Sequence, residues 1–401
     1  MREIIVTEPL FVSSFRCTGS ACRDHCCKSW SISIDKKTVK KYTTSKNIQI
    51  KNIAHENIQL VKKNSQDWGV INFSPETGSC PYLDQDRLCL VQKNLGKEAL
   101  SHTCSTFPRS NRTYKNEVHH SLTISCPEVV SILLNNPDAM GMTEKVNLQN
   151  DFNSAQPIQP KAKLLNLFCL SLMNAADASI EASLYAVIKF VMFIQKYDEI
   201  TDSALTDIES AYLLLVAQLE DGTISRELGS LQVDYRVKTS LLLLLQDYFA
   251  KLETSRGTHV LNYYSDFLRL AISSNEDSPL ENKVREIESR WVGVIQDDLT
   301  NQRFAFKNYI LYKFWHNNFP NHSQRSMLQS LYLIIAEYYY IKIVSASYAL
   351  GKGNIDTGHI TNIIYSFHSI SQHNQNVAEN FYQHIETVRL GDDLSMIHLL
   401  A

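Results

Sequence analysis

The sequence has no apolar run of about 18 residues or more, so it offers no membrane span. Its longest aliphatic block, Leu241 to Leu245, is far too short. It also lacks the basic, apolar and small-residue succession of a secretory leader. The opening stretch MREIIVTEPLFVSSF instead alternates and carries Glu3 and Glu8. A cytoplasmic protein is the expectation. Nor is there a charge surplus that would point to a polyanion. Net charge is −3, and residues 1–150 hold 19 Lys and Arg against 14 Asp and Glu. That excess falls well short of the dense basic stripe expected for a nucleic-acid partner. Glycine and proline are scarce between 161 and 350, and neither a fixed-period repeat nor a low-complexity tract is present. Hydrophobic residues at 44% and charged residues at 20% are ordinary for a globular chain, so a core can be built.

Cysteine is absent after residue 169 and concentrated before 127. Of nine, eight are Cys17, Cys22, Cys26, Cys27, Cys80, Cys89, Cys104 and Cys126. A reducing cytosol disfavours structural disulfides, so this density points to metal or redox work. Thiolates favour zinc, copper(I) and iron–sulfur clusters over hard cations. Structural zinc sites usually show two neat C-x2–4-C pairs. Here the spacings are uneven, Cys26 and Cys27 are adjacent, and the thiols come from distant segments. That pattern favours a four-iron cluster. Eight candidates exceed the four ligands of one cluster, and the spacing does not apportion them. Cys169, within LLNLFCLSL, reads as helix core. His25, His102, His119 and His120 stand near cysteines, and surface roles suit them better than ligation.

Around these residues the expected fold is mainly α. Residues 1–150 read as an irregular cysteine-rich metal domain with short strands, and 151–401 as an all-helical domain. Strand-like runs cover Ile4–Thr7, Trp30–Ile34 and Val118–Ile124, while 35–47 and 92–103 read as short helices. The DQDR turn between Cys80 and Cys89 suits a hairpin. The stretch NDFNSAQPIQPK reads as a boundary. From Lys161 onward, apolar residues recur at three- and four-residue spacing, the mark of amphipathic helices. Tyr338, Tyr339 and Tyr340 span a whole helix circumference, so some of them are expected to be exposed. Gly351-Lys-Gly353 reads as a loop.

The pattern Phe15-x-Cys17-x-Gly19-x2-Cys22-x3-Cys26-Cys27-x2-Trp30, followed by CPYL, LC, LSHTCSTFPR and SCPE, resembles the flagellin lysine-N-methylase family. It is also similar to a broader cysteine-rich family of zinc- or iron-chelating proteins. FAFKNYILYKFWHNNFP at 304–320 resembles a second block of the methylase family. The resemblance implies a bacterial enzyme that moves methyl groups from S-adenosylmethionine to flagellin lysines. It also implies an iron–sulfur cluster, with Cys17, Cys22, Cys26, Cys27, Cys80, Cys89, Cys104 and Cys126 as candidate ligands. A standard radical enzyme of this cofactor has C-x3-C-x2-C, but Ser29 stands where the third cysteine would be.

A lysine nitrogen needs no radical to be methylated, because a sulfonium methyl is already activated towards an amine. The amine must first lose its proton, from a pKa of about 10.4, by partial desolvation or to a nearby base. No glycine-rich fingerprint follows a strand, so a sheet-based cofactor site is not expected. Trp30 is a candidate aromatic face for the sulfonium, though a ring covering the cluster suits it better, and Arg109 is a candidate for the cofactor carboxylate. No residue stands out as catalytic base. Two rival readings remain open on the residues alone: a non-catalytic zinc-binding interaction module, and an iron–sulfur redox or carrier protein.

Overall fold

The computed structural model describes residues 2–28, 32–149, 155–252, 256–274, 277–321, 325–372, 375–388 and 394–401. Alternating segments near the N-terminus form two small sheets. In the first, β1 (Arg2–Pro9) lies between β6 (Glu117–Leu122), parallel to it, and β7 (Met142–Gln149), antiparallel. β5 (Arg109–Thr113) hairpins onto β6 and completes the order β5-β6-β1-β7. The second sheet sets β4 (Gly69–Ile71) between β2 (Ile32–Ile34) and β3 (Ile58–Leu60). Each of the three strand-like runs thus contributes to a strand, although Trp30 lies outside the described residues.

The 35–47 segment forms the helix Lys36–Thr43. Asp35 caps it by accepting hydrogen bonds from the backbone N–H groups of Lys37 and Thr38. The 92–103 segment is broken rather than continuous. A helix Leu90–Leu95 ends at Gly96, whose φ of +82° suits only glycine, and a second short helix, His102–Thr106, follows.

Beyond Pro160 the described residues are helical and connected by turns. The helix Met327–Lys352 runs through the middle, touching helices Ile180–Ile194, Thr258–Ser273, Leu280–Gly293, Phe304–His316 and Thr357–Gln372. Because neighbours surround it, Tyr338, Tyr339 and Tyr340 are all buried, at 1% exposure or less. The expectation of exposed tyrosines is corrected: a helix that is apolar all round is a buried one. Two of the hydroxyls are partnered, Tyr338 donating to Glu181 at 2.9 Å and Tyr340 meeting Ser265 at 3.2 Å. Gly351 and Gly353 do not form a loop. Gly351 sits in the last turn of this helix, and Gly353, at φ +92°, caps it. No described helix is long and apolar enough to cross a membrane.

Two cores result. The large one joins all the long helices to Phe11, Phe15, Leu122, Ile124 and the helix Pro127–Asn135. Cys169 is fully buried within it. The smaller core lies under the three-stranded sheet, built on Ile32, Ile34, Tyr42, Ile50, Ile71, Tyr82 and Val91, with Cys27, Cys80, Cys89 and Cys104 packed into it.

Inside the large core, His368 is fully buried and meets the Tyr309 hydroxyl at 3.0 Å. Burial, and then the charge of Lys313, holds its imidazole well below the ordinary value. Only the unfolded chain then takes up the proton. This contribution to stability is complete above about pH 6.5 and is lost as pH falls below it, by up to about 1.4 kcal/mol per pH unit. Urea midpoints measured from about pH 7.5 down to about pH 5 should fall more steeply in the wild type than in His368→Gln. Equal slopes would mean that the folded ring titrates normally.

Candidate functional site

The cysteine segments are brought together by backbone pairing. Gly19, at φ +56°, opens a turn in which the Cys22 N–H donates to the Gly19 carbonyl at 3.1 Å. The chain then runs alongside residues 79–80: the Cys80 N–H donates to the Cys27 carbonyl at 3.0 Å, and Lys28 bridges to Ser79. The DQDR turn closes a tight hairpin, with the Asp84 N–H donating to Leu88 at 2.9 Å and Leu83 bridging to Cys89. Arg87 reaches across from this hairpin to donate to the Cys22 carbonyl at 2.7 Å. Cys104 arrives on the helix His102–Thr106, whose first turn is capped by Ser101.

Cys27, Cys80, Cys89 and Cys104 pack into the smaller core, and Cys26 joins these thiols through its hydrogen bond to Cys27. Cys26 and Cys27 share a hydrogen bond, which draws Cys26 down to about 7 with help from Arg256, and pushes Cys27 far up. Burial, reinforced by the negative charge of the neighbouring thiolates, raises Cys80 to about 12 and Cys104 to about 11, and raises Cys89 as well. Against this, backbone N–H groups point at the sulfurs, from Tyr82 to Cys80 and from Val91 and Gln92 to Cys89. Tyr42 and Tyr82, edge to face at 5.4 Å, wall the group on its apolar side.

Cys22 and Cys126 lie around Arg256, which also acts on Cys26, and Cys22 borders Cys26. Burial raises Cys22 and Cys126, the latter to about 12, although N–H groups of Glu128 and Val129 at the start of the helix Pro127–Asn135 point at its sulfur. Arg256 is 5% exposed; its Nε stands 3.3 Å from Asp24, and it donates to the Asp24 carbonyl at 2.8 Å. It enters from the helical part of the chain. Gly257 makes this approach possible: at φ +85°, its Cα lies so close to Ser366 that an added Cβ would stand 3.0 Å from the Ser366 Cα and carbonyl oxygen. Arg23 clasps the same helix, donating to the Gly358 carbonyl and to Asn362. No local signal in the sequence marks Arg256, because its neighbours in the site are more than a hundred residues away.

Cys17 is exposed. Arg109 is exposed on β5, its guanidinium 5.9 Å from the Phe15 ring. Trp30 is outside the described residues. His119 and His120 serve the larger sheet, meeting Glu117 at 2.7 Å and Glu8 at 2.9 Å. His25 is half-buried beside the cysteines, and burial lowers its pKa.

Among the described residues, no three His, Cys, Asp or Glu side chains converge tightly enough to hold a single metal ion. A multi-iron cluster is wider than one ion, takes thiolates set around it, and is tuned by N–H groups on the sulfurs. In donor type, apolar surroundings and N–H donors, the five-thiol group matches that chemistry. Burial disfavours the free thiolates, and a bound cation would reverse this by binding them deprotonated.

Residues 166–399 match the family model described as the FliB lysine N-methylase C-terminal domain. Two proteins named lysine-N-methylase, from Salmonella choleraesuis and Salmonella typhimurium, are each 53% identical over 401 residues, all of this chain and all of theirs. A flagellar biosynthetic protein FliU of Salmonella muenchen is 61% identical over 145 residues, 36% of this chain and 86% of its own. No solved structure matches the chain.

Proposed function

Because the chain belongs to the FliB lysine N-methylase family, we propose that it methylates lysine side chains of flagellin in the cytoplasm, with S-adenosylmethionine as donor and an iron–sulfur cluster on its N-terminal cysteines. The observation that supports the cluster is the packing of Cys27, Cys80, Cys89 and Cys104 into one small apolar core, with Cys26 hydrogen-bonded to Cys27 and a buried arginine nearby. At most four of these five thiols would hold a four-iron cluster, and three would leave one iron open. When bound, such a cluster supplies iron as a Lewis acid for amino and carboxylate groups, and the donor supplies an electrophilic sulfonium methyl.

The chain's own contribution is charge and dryness. Arg256 and Asp24 present a cation and a carboxylate side by side next to the thiols, as the two ends of an amino-acid group require. Tyr42, Tyr82 and the apolar core beneath them exclude water from the thiol side. A dry approach also favours the neutral form of the attacking lysine, whose ordinary pKa is about 10.4. In-line transfer then needs chiefly that donor and amine be held in near-attack geometry.

Mass spectrometry of flagellin co-expressed with the wild type and with Cys26→Ser tests this reading. Methylated lysines with the wild type and unmodified ones with the variant are expected. Unmodified lysines in both would end it. Iron and sulfide in anaerobically purified brown protein are expected alongside; colourless protein holding zinc would replace the cluster by structural zinc.

A further inference from the structure

The small core beneath the three-stranded sheet holds two tyrosine hydroxyls, and their surroundings differ. Tyr42 donates to the Ala99 carbonyl at 2.9 Å. The Tyr82 hydroxyl is buried and has no hydrogen-bond partner among the described residues, on a side chain that is 2% exposed. A hydroxyl left unmet in an apolar core costs stability, and buried polar groups in folded proteins nearly always find a partner. Nor is Tyr82 loosely held. Its N–H donates to the Cys80 sulfur, and its carbonyl accepts from the Leu90 N–H at 2.8 Å, one residue past Cys89. Its ring stands edge to face with Tyr42 at 5.4 Å. Burial keeps the proton on its hydroxyl, and the charges of Cys80 and Cys89 act on it in the same sense. The group therefore stands among the thiols as a donor. Ser101 shows the same use of a hydroxyl in this core, forming a hydrogen bond with the Cys104 sulfur.

We propose that the Tyr82 hydroxyl donates a hydrogen bond to a sulfur of the iron–sulfur cluster and thereby raises its reduction potential. This rests on the cluster reading given above. Hydrogen bonds to the sulfurs are one of the levers that set such potentials. A reduced cluster carries one more negative charge than the oxidised one, so a donor aimed at its sulfur stabilises the reduced form more. Tyr82 acts through the cluster, as a positioning and tuning residue, and Tyr42, with its hydroxyl committed to a carbonyl, does not.

Redox titration of the anaerobically purified, iron-loaded full chain tests this, with the wild type set against Tyr82→Phe. Phenylalanine keeps the ring and removes only the oxygen. Equal iron and sulfide are expected, with a midpoint potential lowered by about 59 mV, a tenfold change in the one-electron equilibrium. Tyr42→Phe should leave the potential where it was. An unmoved potential in loaded Tyr82→Phe, or an equal fall in both variants, would overturn the proposal. Electron–nuclear double resonance on the reduced wild type covers the case in which the variant fails to load. A cluster-coupled proton that is lost in D2O is expected there, and its absence overturns the proposal. Iron-free wild type would end the cluster reading and the proposal together, whereas loaded wild type with an unmoved variant ends the proposal alone. Neither measurement depends on methyl transfer.

Discussion

Cys80→Ala is expected to strip iron from the protein and to lower methyl transfer to flagellin by more than about 100-fold. Removing a group that only orients a metal ligand typically costs about 10–100-fold, and loss of a ligand itself exceeds that. Cys80 lies beside Cys26, Cys89 and Cys104, accepts the Tyr82 N–H, and is 9% exposed. Cys17→Ser is the contrasting case. Cys17 is exposed, so iron content and activity should stay close to those of the wild type. Iron, acid-labile sulfide and the visible absorption of anaerobically purified variants provide the readout, with methylated lysines counted by mass spectrometry. Full iron loading in Cys80→Ala, or its loss in Cys17→Ser, would move the cluster off the five-thiol group.

The second large effect concerns stability. Lys313→Met leaves Glu337 charged, 4% exposed and without its cation. Breaking a buried pair in this way costs about 3–5 kcal/mol, because the remaining charge is neither hydrated nor compensated. The double variant, with methionine at both positions, removes that charge as well and should return to wild-type stability or exceed it by about 1–4 kcal/mol. Urea denaturation of the wild type, the single variant and the double variant closes the cycle. A single variant no less stable than the double would show that Glu337 finds another partner or takes up a proton when Lys313 is lost.

Some of this was written in local sequence and some was not. The helices beyond Pro160 follow from apolar spacing, since a period of 3.6 residues is a property of neighbouring positions. Cysteine density pointed to thiol chemistry for a similar reason, because composition needs no geometry. The exposure expected for Tyr338–Tyr340 was wrong because periodicity reports one helix at a time, and only its neighbours decide whether a second face is covered. The short helix expected over 92–103 broke at Gly96, where a positive φ overrides the surrounding helical pattern.

The sequence by itself determined a helical protein with cysteines gathered near its start, and its motifs carried the family. Tertiary structure alone decided which sulfurs meet. It gathered Cys27, Cys80, Cys89 and Cys104 in one small core, left Cys17 exposed, and brought Arg256 from the helical part of the chain beside Cys22, Cys26 and Cys126. The reason is physical: ligand and ion-pair geometry depends on through-space distance. Residues 232 positions apart, such as Asp24 and Arg256, share a site only once packing has fixed both backbones.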